Sequence, residues 1–230
     1  MSARVIHSQA FVEDAVNTII TSAREAIEQR DFFRLSLCGG NTPRPVYSQL
    51  AKTGADLPWE KIQITFGDER CVPPEDNQSN YKMAKESLLD KVPLPASNVF
   101  RMRGEIDPKT AAAEYESQLA TVAARFGEPR YIHDLLLLGI GDDGHTASLF
   151  PGTSALEELE KNVVANFVPK FSTHRITFTY PLINAARHVC FLVNDTKKAG
   201  IIDEILSGKS DYPSARVAPH SGQLTWLLGF

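Results

Sequence analysis

The sequence predicts an α/β fold, with a mainly parallel sheet and helices on both faces in a Rossmann-like three-layer architecture. Short apolar runs of strand length alternate along the chain with longer segments whose apolar residues recur at helical spacing. Several of the apolar runs end in glycine before a polar segment, as strands do where the chain turns towards a helix. The run DLLLLGIG, residues 134–141, is apolar on both faces, which is typical of an interior strand of a parallel sheet.

The first third of the chain predicts a helix, a strand and a second helix. Residues 11–30 form an amphipathic helix, because apolar side chains share one side of it: Phe11, Ala15, Ile19, Ala23 and Ile27. FFRLSLC, residues 32–38, is a strand that runs into a glycine turn. We expect Thr42 to be the N-cap of the next helix and Pro43 its first residue.

The middle of the chain repeats this alternation. IQITF, residues 62–66, predicts a strand, residues 79–90 a helix, and NVFRM, residues 98–102, a weaker strand. Asp107 and Pro108 begin an alanine-rich helix that should end near Gly127. A shorter helix is expected over residues 155–161.

The last third predicts three more strands and one more helix. The strands are RITFTY at residues 175–180, HVCFLV at 188–193 and LTWLL at 224–228. Asp195 is the expected N-cap of a helix that continues to about Leu206.

Composition limits the class of protein. The 230 residues are 43% hydrophobic and 23% charged, which is ordinary for a globular protein, and we expect a single domain over residues 1–230. A net charge of −4 with no block of like charge gives no reason to expect nucleic acid or an anionic membrane as partner. Three scattered cysteines, no secretion signal and no apolar run of about 18 residues predict a reduced cytoplasmic protein.

Gly39, Gly40, Asn41 and Thr42 lie between a predicted strand and a predicted helix. Backbone N–H groups at such a turn, together with the amino end of the helix, are suited to hold a phosphate. Tight packing is the alternative explanation of the glycine pair. The segment is neither a P-loop nor a dinucleotide fingerprint, because it lacks both glycine spacings.

Charged residues follow two other predicted strands. Asp68, Glu69 and Arg70 come after residues 62–66, where a solvated turn with an internal ion pair is the alternative to a site. In the functional interpretation Arg70 holds an oxyanion or a phosphate, and Asp68 accepts from a water or hydroxyl. Asp143 and His145 follow residues 134–141, and an imidazole beside a carboxylate is suited to general-base chemistry, although a lone histidine is more often structural.

Two basic residues, Arg175 and Lys198, complete the candidate site. Each is an ordinary surface charge unless its strand end converges on the glycine turn, in which case the three together would neutralise a phosphate dianion. No histidine and carboxylate pair has zinc-ligand spacing, so no metal is expected.

Several segments, in order and spanning about residues 35 to 228, resemble the glucosamine-6-phosphate isomerase/6-phosphogluconolactonase family. They are CGGNTPRPVY, FGDERCVP, the serine and tyrosine of QSNYKMAKESLL, GIGDDGHTASLFPGT, RITFTYPLINAARHVCFLV and KKA. The GDER and GHTASLFP segments resemble the lactonases of this family, whereas the deaminases carry GDEY-type and GHIAFNEP-type segments. Asn41 stands where a serine is common.

The resemblance implies hydrolysis of the δ-lactone 6-phosphogluconolactone to 6-phosphogluconate in the oxidative pentose phosphate pathway, without metal or organic cofactor. It implies His145 as the base that activates water, with Asp143 supporting the imidazolium and Asp68 as a second candidate for positioning water. Arg70 would hold either the oxyanion or the phosphate. The implied phosphate ligands are Gly39, Gly40, Asn41, Thr42, Arg175 and Lys198.

Two other functions stay open at this point. A glucosamine-6-phosphate deaminase or a related isomerase would need a carboxylate placed for ring opening, and GHTASLFP supplies none. A sugar-phosphate sensor without turnover is the second alternative, although the chain carries no basic recognition helix. The expected partner is a small sugar-phosphate lactone, and the expected assembly is a monomer or a weak homo-oligomer.

Overall fold

The computed structural model describes residues 3–230, which form nine strands and six α-helices. The strands are β1 (Arg4–His7), β2 (Phe33–Leu37), β3 (Ile62–Phe66), β4 (Asp68–Arg70), β5 (Leu135–Leu138), β6 (Val163–Val168), β7 (Thr173–Phe178), β8 (His188–Val193) and β9 (Gln223–Leu228). The helices are α1 (Phe11–Arg30), α2 (Pro43–Thr53), α3 (Asn80–Ser87), α4 (Pro108–Arg125), α5 (Tyr180–Ile183) and α6 (Ala199–Leu206).

Six strands form a parallel sheet in the order β1-β9-β8-β5-β2-β3. The chain leaves β2 towards β3 on one side and later returns to β5 on the other side, so the strand order reverses between β2 and β5. Parallel sheets bind ligands at such a switch point, beyond the carboxyl ends of the strands. The loops after β2 and β5 therefore meet where a site is expected.

Helices cover both faces of this sheet, which confirms the predicted fold class. On one face α1, α2 and α3 pack on a core that includes Leu135 and Leu137. On the other face α4 and α6 pack on a core that includes Leu136 and Leu138. Because successive residues of β5 enter opposite cores, all four must be apolar, as the sequence pattern indicated.

A second, antiparallel sheet in the order β4-β7-β6 lies on the face that carries α4. Residues 68–70 belong to this sheet, because the chain continues through Gly67 and pairs with β7 instead of forming a solvated turn. The backbone N–H of Phe178 donates to the carbonyl of Gly67 at 2.9 Å. Arg70 and Arg175 are direct partners in this pairing, so the two arginines are neighbours on adjacent strands.

Three local predictions need correction. Thr42 precedes α2 but is itself helical (φ −59°, ψ −46°) and makes no capping hydrogen bond, so only its position was predicted correctly. The helix expected over residues 155–161 is wrong: a single 3-10 turn at Ser154–Glu157 is followed by β6. The carboxylate of Glu158 accepts hydrogen bonds from the N–H groups of Glu160 and Lys161, and this turn competes with a helix.

The third correction concerns residues 98–102, where only Val99 forms a single bridge to Ile64. Two caps agree better with the sequence. Asp107 accepts from the N–H of Thr110 at 2.9 Å at the start of α4. Asp195 caps a 3-10 turn, Thr196–Lys198, that leads directly into α6.

Within residues 3–230, no helix combines the length and apolar character needed to cross a membrane.

Candidate active site

A cavity of about 360 Å³ lies at the carboxyl edge of the parallel sheet, over the switch point between β2 and β5. It brings together every site residue predicted from the sequence except Asp143, which lies directly behind His145. The predicted residues that line it are Gly39, Gly40, Asn41, Thr42, Asp68, Arg70, His145, Arg175 and Lys198.

His145 is held in one orientation by its neighbours. Its Nδ1 lies 2.5 Å from Oδ1 of Asp143, and its ring stacks on Phe150 with centroids 3.9 Å apart. The Asp143 carboxylate accepts a hydrogen bond from the N–H at Nδ1. The neutral imidazole therefore carries its free lone pair on Nε2. Among the described residues Nε2 has no hydrogen-bond partner, so it is free to accept a proton from a ligand or a water.

Burial favours a neutral histidine in this pair. It lowers the pKa of His145 below its ordinary value, and the hydrogen bond to Asp143 only partly opposes this. Burial alone would raise the pKa of Asp143, but hydrogen bonds from Lys170 and His145 hold that pKa well below its ordinary value. The Nζ of Lys170 lies 2.8 Å from Oδ2 of Asp143. The carboxylate is therefore charged while the imidazole is neutral near pH 7.

The loop after β5 leaves no room for larger residues around the imidazole. A Cβ on Gly141 would lie 1.9 Å from Cε1 of His145. Gly144 has a φ of +72°, and a Cβ there would meet the ring of Tyr212 at 2.4 Å. Both glycines are therefore required by geometry, and the backbone of Gly141 also donates to the carbonyl of His145 at 2.9 Å.

Asp68 is buried and its carboxylate is already engaged by neutral donors. Oδ1 accepts from Nδ2 of Asn80 at 3.0 Å, and Oδ2 accepts from Oγ of Ser148 at 2.6 Å. Nη1 of Arg175 lies 3.8 Å from Oδ2, which is an ion pair but too long for a hydrogen bond. These contacts hold the Asp68 carboxylate in a fixed orientation at the wall of the cavity.

Arg70 and Arg175 present two guanidinium groups to the same cavity. Nη1 of Arg70 donates to the carbonyl of Gln78 at 2.5 Å. The guanidinium of Arg175 lies 5.1 Å from the ring centroid of Phe171, and its side chain makes no hydrogen bond to the described residues. Two adjacent cations in a partly buried site repel each other unless an anion lies between or beside them, so this part of the cavity is suited to an anionic ligand.

The glycine turn forms the cavity wall beside β2. Gly40 has a φ of +96°, a conformation that favours glycine. Gly39 lies against the amide of Asn80, because a Cβ there would approach Asn80 Oδ1 to 1.9 Å. The hydroxyl of Thr42 makes no capping hydrogen bond to α2, and the amino end of this helix, where Pro43 and Pro45 carry no N–H, faces the cavity. The turn can therefore bind an anion.

Lys198 reaches the cavity from the turn that follows β8, and its side chain is only 12% exposed. Its ammonium forms an ion pair with Asp142, whose side chain is 88% exposed. The mostly buried cation thus has a solvent-facing counter-ion. A phosphate that enters the cavity can replace Asp142 as the partner of Lys198.

Sequence reasoning missed several residues that hold the site together. Asn80 and Ser148 bond Asp68, Phe150 stacks on His145, and Lys170 bonds Asp143. Ser148 and Phe150 belong to the segment TASLFP, which directly follows His145 in the sequence. Its position next to the candidate base was the signal that could have identified them.

Among residues 3–230 no group of three or more His, Cys, Asp or Glu side chains is arranged to hold a metal ion.

The fold and the site define a sugar-phosphate enzyme class built on a parallel sheet. Residues 7–226 match the family described as glucosamine-6-phosphate isomerases/6-phosphogluconolactonase, and the chain belongs to this family. It is 41% identical over 228 residues to a 6-phosphogluconolactonase of a Synechocystis species, covering 97% of this chain and 93% of the relative.

Two further relatives agree. A 6-phosphogluconolactonase of a Nostoc species is 39% identical over 223 residues, covering 95% of this chain and 91% of the relative. The crystal structure of 6-phosphogluconolactonase from Thermotoga maritima superposes with a TM-score of 0.86 at 28% identity, covering 100% of this chain and 99% of that one. Similarity therefore extends over the whole sheet and both layers of helices.

Proposed function

We propose that this protein hydrolyses 6-phospho-D-glucono-1,5-lactone to 6-phosphogluconate, as part of the oxidative pentose phosphate pathway, with His145 as general base. The observation that carries the proposal is the orientation of His145. Asp143 holds Nδ1 at 2.5 Å, while Nε2 is free of protein partners in the described chain and the side chain lines the cavity. Similarity to named lactonases over nearly the full chain supports the same conclusion.

The chemistry needs one proton acceptor and then one proton donor. Nε2 of His145 takes a proton from water as the water oxygen bonds to the lactone carbonyl carbon, giving a tetrahedral oxyanion and an imidazolium. The oxyanion collapses, the bond from this carbon to the ring oxygen breaks, and the imidazolium returns its proton to that oxygen. The ring opens to a carboxylic acid and an alcohol, and the acid then loses its proton to solvent. The anionic Asp143 stabilises the transient imidazolium.

Binding energy for the phosphate comes from the cavity wall and its cations. The turn Gly39–Gly40–Asn41–Thr42 offers N–H donors and the amino end of α2, and Lys198 and Arg175 offer positive charge. Asn41 keeps a short polar side chain at its position. Arg70 supplies a second guanidinium for either the oxyanion or the phosphate.

The acidic side chains of the cavity favour a lactonase over a deaminase. A deaminase needs a free carboxylate for ring opening, and the acidic residues that line the cavity are Asp68 and Asp195. Asp68 bonds Asn80 and Ser148, and Asp195 caps the turn that leads into α6. Both carboxylates are therefore already held by hydrogen bonds from the protein.

The test follows acid release from freshly prepared 6-phosphogluconolactone, corrected for spontaneous hydrolysis, with wild type and the His145→Gln variant. Wild type should accelerate hydrolysis, and the variant should lose about 10²-fold or more of kcat. An unchanged rate in the variant would refute the role of His145. Ammonia release from glucosamine 6-phosphate without lactone hydrolysis would identify a deaminase, and tight 6-phosphogluconate binding without either reaction would identify a sensor.

A further inference from the structure

Asn80 is buried, with 3% of its surface exposed, and its side chain contacts two separate parts of the site. Nδ2 donates to the carbonyl oxygen of Asp68 at 2.9 Å and to its Oδ1 at 3.0 Å. The same amide fills the space beside Gly39 that a Cβ would need. Neither contact involves the residues proposed to react with the lactone.

The position of Asn80 is itself fixed by a buried carboxylate. Glu69 accepts from the N–H groups of Asn80 at 2.7 Å and Tyr81 at 2.8 Å, and from Oγ of Ser79 at 3.0 Å. A carboxylate at the amino end of a helix is stabilised by the unpaired N–H groups there. Glu69 therefore ties the start of α3 to β4, and the amide of Asn80 has a fixed location relative to Asp68.

Neutral donors bond both oxygens of the Asp68 carboxylate and fix its orientation. Asn80 donates to Oδ1 and Ser148 to Oδ2, while Nη1 of Arg175 lies 3.8 Å from Oδ2, beyond hydrogen-bond distance. Arginine and carboxylate groups that are free to move form two parallel hydrogen bonds, which would consume the donors of the guanidinium. A carboxylate held in this orientation keeps its field at the guanidinium, while the N–H groups of Arg175 stay available to a ligand.

We propose that Asn80 is a positioning residue for anion binding: by occupying Asp68 it keeps the guanidinium of Arg175 available to a phosphate or carboxylate ligand in the cavity. The inference rests on the proposed function only in naming 6-phosphogluconate as the natural ligand. Removing the amide frees Oδ1, Arg175 closes onto Asp68, and anions bind more weakly. Ser148 has the same effect from the other carboxylate oxygen.

The experiment is a double-mutant cycle between Asn80 and Arg175, read out by calorimetric titration with inorganic phosphate and with 6-phosphogluconate. Asn80→Ala should weaken binding of both ligands about tenfold, as expected for loss of one charge-assisted contact. In an Arg175→Ala background the same substitution should have no further effect. KM for the lactone should rise in Asn80→Ala while kcat falls less, whereas loss of folded protein would lower kcat at constant KM.

Asn98→Ala is the matched control, because Nδ2 of Asn98 also donates to two oxygens, at 2.9 and 3.0 Å, but both are backbone carbonyls at the amino end of β3. It should lower the unfolding temperature without changing either dissociation constant. Ser148→Ala replaces Asn80→Ala if the latter does not fold, and the same loss is expected. Unchanged binding, or an equal loss with and without Arg175, would overturn the proposal. Absence of lactone hydrolysis by wild type would refute the proposed function alone, since the titration with inorganic phosphate still decides the role of Asn80.

Discussion

Asp143 and His145 are two residues apart in the chain and share a hydrogen bond of 2.5 Å between Oδ1 and Nδ1. The turn between them contains Gly144 at φ +72°, which brings the carboxylate back onto the ring. The second oxygen of Asp143 contacts Lys170 at 2.8 Å. One carboxylate therefore connects the proposed base with a surface cation.

Replacing Asp143 with asparagine should lower kcat by about 10²-fold while leaving KM nearly unchanged, because the amide no longer stabilises the imidazolium that forms during reaction. Titrimetric acid release at saturating lactone, corrected for spontaneous hydrolysis, measures the effect. Asp142→Asn is the control, since Asp142 is exposed and contacts Lys198 rather than His145. Full activity in Asp143→Asn would exclude electrostatic support of the imidazole.

Activity should fall on acidification with a midpoint below pH 6.5, because burial lowers the pKa of His145 and only the neutral imidazole accepts a proton. The ammonium of Lys170 contributes to this shift by repelling the imidazolium. Lys170→Ala should therefore move the midpoint of kcat/KM to higher pH. Profiles of kcat/KM between pH 5 and 7 measure both effects, and a shift to lower pH in the variant would contradict them.

The sequence was sufficient to predict where the site lies, because parallel strands deliver their carboxyl ends to a common edge. Gly39, Asp68 and His145 each follow an apolar run of strand length, and all three line one cavity. The location of the site follows from the direction of the strands alone, and the alternation of strands and helices implies that direction.

The partners of these residues could not be predicted in the same way. Ser148 bonds Asp68 across 80 residues, and this contact depends on how the second sheet packs on the first. The pairing of β4 with β7 is equally nonlocal, and a three-residue strand has no periodicity to detect. The helix expected over residues 155–161 does not form, and the side chain of Glu158 accepts hydrogen bonds from the backbone there instead.

Gly141→Ala should reduce kcat by about 10²-fold while the protein stays folded, because the added Cβ would lie 1.9 Å from Cε1 of His145 and displace the ring. Gly139→Ala, two residues earlier in the same loop, offers the comparison, since a Cβ there meets nothing within 4 Å. Its loss should be much smaller. Acid release together with thermal unfolding of both variants measures this, and equal losses would show that the loop, not the ring, is disturbed.

His133 should make the protein sensitive to acid independently of the site. It is fully buried, its Nε2 lies 2.8 Å from Oγ1 of Thr65, and burial lowers its pKa to about 3. The unfolded chain binds a proton at this histidine near pH 6.5, whereas the folded chain does not until about pH 3, so protonation favours unfolding throughout this window. The contribution is complete above pH 6.5 and is lost as the pH falls, by up to about 1.4 kcal/mol per pH unit.

Urea unfolding at several pH values between 7 and 4 measures this dependence, with His133→Gln as the comparison. The variant should be less stable at pH 7, because it loses the ring contacts with Tyr131 and Phe178, whose centroids lie 5.0 and 5.3 Å away. Its free energy of unfolding should nevertheless fall less steeply with acidification than that of wild type, since one titrating group is gone. Parallel slopes in the two proteins would mean that other groups govern the acid sensitivity, and that His133 does not enter the pH dependence of folding.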